Sequence, residues 1–170
     1  MIYSEKANRC AASFKKVVTM FLLIVFHILA VVIWVGGMFF AYQCLRPVAA
    51  EILEPPLRLL LWRETFKRFF VWVWAAIIIL LVSGHSMIAI LGGMGSVGLH
   101  VHLMLAIAYV MIALYGYVYF VLFKRLKQAT SENRWPEAGS VLNKIRHIIA
   151  VNLILGLITI SVAAGGRYLV

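Results

Sequence analysis

The sequence predicts an all-α, polytopic membrane protein built as a four-transmembrane-helix bundle. Three observations carry that expectation. The chain is 64% apolar and only 13% charged, about half the ~25% of charged residues in soluble domains. So few charges cannot cover a water-facing surface of this size. Two stretches, Val17 to Leu45 and Phe69 to Phe123, contain no Asp, Glu, Lys or Arg, and a bilayer-spanning helix needs ~20 such residues. The second stretch is too long for one helix, and Gly92-Gly93-Met94-Gly95-Ser96-Val97-Gly98 divides it, because glycines supply turn conformations.

The length of 170 residues suits a single membrane domain over 1–170 with short loops. The expected spans are about 18–42, 69–91, 99–123 and 147–165. The first follows a basic segment with Lys6, Arg9, Lys15 and Lys16, which resembles a signal peptide. Its apolar run far exceeds the roughly 7–15 residues of a signal core, so it is read as a retained helix. Residues 51–68 form the first loop. There Leu57, Leu60 and Leu61 interleave with Arg58, Arg63, Lys67 and Arg68, which suggests a short amphipathic interfacial segment. A basic start to the second span explains the same pattern equally well. A polar loop is expected over 124–146.

Most of the 16 Lys and Arg residues fall in the first and third loops. Cytoplasmic loops concentrate positive charge, so both termini are expected outside the cytoplasm of a bacterial inner membrane. The net charge of +10 is a loop-anchoring charge facing anionic headgroups, and no folded basic face remains for nucleic acid. Cys10 and Cys44 flank opposite ends of the first span, too far apart for a disulfide. P-loop, GxSxG, HExxH and CxxC motifs are missing from the sequence, so hydrolytic chemistry has no motif to support it.

The chemistry concentrates in histidines, since ionisable groups in a bilayer are expensive. His27, His85, His100 and His102 fall in the outer parts of the first three spans, at roughly similar expected depth. His147 falls at the opposite, cytoplasmic boundary. His27 shares a helical stripe with Ala30, Val31, Trp34, Met38 and Ala41. His102 shares one with Ala106, Tyr109, Ala113 and Gly116. That small-residue stripe either lets helices approach closely or leaves room for a flat cofactor. The fourth span adds Asn152, Gly156, Thr159 and Ala163. His100 lies about 200° from His102 around the helix, on a face with Met104 and Met111.

Two sites follow. In the first, His27 and His102 are the axial ligands of a b-type haem. Arg167, with Lys16, pairs with its propionates, and His100 or His85 acts as proton donor or alternative ligand. In the second, copper is bound by His100, His102 and Met104, with Met111, Met87 and Met38 nearby, because thioether and imidazole suit Cu(I). The plainer alternatives are that each histidine only hydrogen-bonds between helices and that the methionines only pack.

The segment His27-Ile-Leu-Ala-Val-Val-Ile-Trp34-Val-Gly36-Gly37 resembles the opening helix of the copper-resistance protein D family. Leu99-His100-Val-His102-Leu-Met, the Arg63–Trp74 region and Gly166-Arg167-Tyr168 resemble it too. The resemblance covers nearly all the chain after residue 20, and it implies copper uptake or tolerance. The architecture is also similar to the bacterial membrane protoporphyrinogen oxidase family, with its His and Trp seven residues apart in helix one and His-x-Lys opening helix three. That resemblance implies bound haem b with His27 as a ligand. Here His102 stands at the lysine position, which argues against porphyrinogen oxidation as such and for two imidazole ligands.

The expectation is therefore a haem b redox protein, an oxidoreductase or electron carrier. Its partners would be membrane lipid, a quinol or porphyrinogen, a redox protein and a second copy of the chain. Copper binding or transport is the alternative, and a cofactor-free structural subunit the third.

Overall fold

A computed structural model describes residues 2–166. Four long helices account for nearly all of them: α1 (residues 2–52), α2 (Pro55–Ile90), α3 (Leu99–Ser131) and α4 (Trp135–Gly165). Each is long and apolar enough to cross a membrane. The four-span, all-α expectation therefore holds. Arg167 lies outside the described residues.

The helices are longer than the spans read from the sequence. The 33 residues of α3 reach ~50 Å at 1.5 Å per residue, against a hydrocarbon core of ~30 Å. Residues 55–68 are not a separate interfacial element. They are the first turns of α2, opened by Pro55-Pro56, where a missing N–H costs nothing. The expected loop over 124–146 shrinks to residues 132–134, with Asn133 in the left-handed region at φ 55°. Arg134 holds that turn by pairing with Glu132 at 2.6 Å and with Glu137. The α2–α3 turn uses Gly92 and Gly93 at φ 104° and 90°, a conformation open to glycine and strained for other residues.

Three π turns interrupt the α-helical winding, at Val32–Gly36, Ala41–Leu45 and Val118–Leu122. A π turn inserts an extra residue, so neighbours in sequence share an interior face. Trp34 and Val35 are both buried, as are Leu122 and Phe123.

Burial is uneven along the bundle. At the end carrying the basic loops, Trp62, Phe66, Leu126, Ala129, Ala138 and Ile145 are almost completely enclosed. Aromatic rings continue this core toward the middle. Phe66 stacks on Phe70 at 5.3 Å, Phe70 meets Phe123 edge-on at 5.0 Å, and Tyr115 contacts Trp34 and Trp74. The Tyr115 hydroxyl donates to the Phe70 carbonyl at 3.1 Å. At the other end the helices associate as two pairs. The first part of α1 packs on α2, and the first part of α3 packs on α4.

Leu126 and Ile145 lie where α3 and α4 extend past the spans read from the sequence. Ile145→Ala should destabilise the protein by about 2–5 kcal/mol, the range for an enclosed aliphatic truncation. Thermal unfolding in detergent measures this, and a melting temperature equal to wild type would show that this end does not hold the bundle together.

Candidate functional site at the histidine-bearing end

The face of α3 that turns inward is the one bearing His100. Along it Met104 is half-buried, and Met111, Tyr115, Val118 and Leu122 are buried. The His102 face points out of the bundle: His102, Ala106, Tyr109 and Ala113 are all exposed. The sequence expectation that the small stripe beside His102 lines an interior space is therefore reversed. Apolarity cannot make that choice in a membrane protein, because lipid and protein interior are equally apolar.

Each histidine has its own setting. His27, on the inward face of α1, donates from Nδ1 to the Ser83 hydroxyl of α2 at 2.8 Å, and Ser83 in turn donates to the Ile79 carbonyl. His85 donates to the Leu81 carbonyl at 2.8 Å and accepts from the Tyr109 hydroxyl at 3.1 Å, which joins α2 to α3. His102 donates back to the Gly98 carbonyl at 3.2 Å. His147 is exposed near the basic end.

His100 differs from the three hydrogen-bonded histidines His27, His85 and His102. Its Nδ1 is buried and has no hydrogen-bond partner. Two glycines make its place. A Cβ on Gly98 would come within 2.8 Å of Nδ1, and one on Gly166 within 2.8 Å of the His100 Cβ. The ring therefore sits between the start of α3 and the end of α4. The reading of the sequence did not single out Gly98 for this role. Its signal was a glycine two residues before a histidine at a helix start.

The structure does not bring His27 and His102 together. His27 sits at the level of Ser83, close to that of the His85–Tyr109 pair. His102 is seven residues from Tyr109 along α3, about 10 Å further toward the helix end, and faces outward. The expectation of similar depth fails for the same reason. His27 faces α2 and His102 faces out of the bundle, so the structure does not set the two imidazoles opposite each other as a haem between them requires. Nor does the fourth-helix stripe leave a slot, since a Cβ on Gly156 would strike Val35 at 2.9 Å and Met111 at 3.3 Å. There the small residue serves close helix contact.

Among the described residues no three His, Cys, Asp or Glu side chains cluster as a metal cage. The soft donors on this inward face are the buried, unpartnered His100 Nδ1 and, one turn along, the half-buried Met104.

The family model of copper resistance protein D matches residues 63–165, more than half of the chain. The chain belongs to the copper resistance protein D family. The match begins within α2 and runs to the end of α4, so it includes His85, His100, His102 and Met104. Neither a curated protein nor a solved structure gives a match. For this copper resistance D chain, family membership favours the copper alternative over the haem redox reading, for which neither the fold nor the family gives support.

Ser83→Ala removes the hydrogen bond by which His27 joins α1 to α2. Interhelical bonds of this kind are worth roughly 0.6–2 kcal/mol in membranes, so a loss of about 1 kcal/mol is expected on thermal unfolding in detergent. An unchanged or raised stability would mean that the bond holds no helices together.

Proposed function

We propose that the chain handles copper in the bacterial inner membrane, with Cu(I) as its cargo rather than a resident cofactor. The basic loops face the cytoplasm, in line with the usual distribution of positive charge. The observation that carries the reading is the buried, unpartnered Nδ1 of His100, on an inward face of α3 that also bears the half-buried Met104 one turn further on. Family membership supplies the metal.

In the neutral tautomer protonated on Nε2, the unpartnered Nδ1 offers a lone pair, and imidazole with thioether is a donor set that Cu(I) accepts and harder divalent ions do not prefer. Few donors on one helix face suit passing a metal on more than storing it. Gly98 and Gly166 keep the ring in place, and His102, on the outer face, is the residue a copper ion would meet first from outside the bundle.

The test is copper content per chain after purification under reducing conditions from copper-supplied cells, with the optical spectrum recorded on the same sample. Wild type should retain a measurable share of copper, and His100→Ala and Met104→Leu should each retain less than about half as much as wild type, since each removes a soft donor. Copper unchanged in both variants would overturn the assignment. So would a reduced-minus-oxidised band of low-spin b haem in place of copper.

A further inference from the structure

At the basic end, Arg146 of α4 holds its guanidinium over the Trp62 ring at 5.3 Å. Its Nε and Nη2 are buried without a hydrogen-bond partner, and so is the Trp62 Nε1. Arg46 of α1 lines one small pocket with Arg146, and the positive charges of Arg46 and of Arg58, on α2, act on Arg146. Arg46 lies over the Tyr42 ring at 4.9 Å, and Arg58 reaches only the Ala50 carbonyl, at 3.5 Å. The ion pairs among the described residues are Arg63 with Glu64, and Arg134 with Glu132 and Glu137. None of them involves the three arginines that meet here.

Three neighbouring cations, one of them with buried, unused donors, are unfavourable by themselves. Unmade bonds to a buried polar group cost about 1–3 kcal/mol each, more for a charged one. Three helices supply one arginine apiece, so the arrangement is not a solvated face of one helix. Arg46, Tyr42, Trp62 and Arg146 also line a small pocket with about 10 Å³ of free interior, which is room for one water-sized group. Guanidinium groups recognise planar or tetrahedral oxyanions through paired N–H donors.

We propose that this pocket is a binding site for a phosphate-type oxyanion. One oxygen enters against Arg146 and the Trp62 indole, while Arg46 and Arg58 flank the rest of the group at the mouth. The phosphate belongs to an anionic lipid headgroup or to free phosphate. The site lies at the end opposite His100 and does not depend on the copper reading.

The experiment uses the full chain in a phosphate-free maltoside detergent, titrated separately with phosphatidylglycerol and with inorganic phosphate. Native mass spectrometry reads the lipid adduct, and tryptophan fluorescence reads both ligands. Saturable binding of phosphatidylglycerol, weakened about tenfold or more in Arg146→Gln and in the Arg46→Gln/Arg58→Gln pair, supports the site with a lipid source. The same pattern with inorganic phosphate alone supports it with a free source. Lys67→Gln removes an exposed charge at the same end and should leave binding unchanged. The double variant keeps the buried Arg146–Trp62 contact, so it reports on binding if Arg146→Gln fails to fold. No saturable binding of either ligand overturns the proposal. An equal loss in Lys67→Gln also does so, by reducing the effect to general charge.

Discussion

Hydrocarbon offers no hydrogen bonds, so every backbone amide within the bilayer must be satisfied inside the chain, and an open lipid-facing strand edge is excluded. Much of the structure follows from that constraint. It makes the uncharged stretches helical, and it confines the turns to residues 91–98 and 132–134 and the break at 53–54. It also explains why the irregularities that remain inside the helices are π turns. These shift which residues face inward while keeping the winding closed on itself.

What the constraint does not provide is a force between helices, since lipid is as apolar as a leucine side chain. The bundle obtains that force chiefly at one end. Around Phe66, Phe70, Tyr115 and Phe123 the rings interlock, and beyond them Leu126, Ala138 and Ile145 close a core on helix extensions. At the opposite end fewer residues are buried, and polar contacts such as His27–Ser83 and His85–Tyr109 carry the helix-to-helix register. A loosely packed end with polar side chains is suited to a ligand that must enter and leave. The tightly packed end is suited to anchoring, and the three arginines gather there.

The fold was legible because charge-free length is an unambiguous signal. The helix ends were less so. Residues 124–131 look polar and loop-like, yet Leu126, Ala129 and Thr130 occupy one buried stripe, too sparse to stand out among Lys and Gln. The site was half legible. Helical period places His100 and His102 on opposite faces of α3, but it cannot say which face turns inward when both are apolar. The small residues beside His102 suggested the wrong one. The deciding feature was the heavier row Met104, Met111, Tyr115 and Leu122, which fills the interior. Arg146 could not be recognised either, because its meaning depends on Arg46 and Arg58, which lie far from it in sequence.

The account's central claim is that a soft-metal site lies on the inward face of α3. Copper K-edge X-ray absorption on the reduced, copper-loaded protein tests it most directly. The account predicts Cu(I) with both sulfur and imidazole nitrogen in its first shell. The sulfur contribution should be lost in Met104→Leu and the imidazole contribution diminished in His100→Ala. A first shell without sulfur, or one that neither substitution changes, would contradict it.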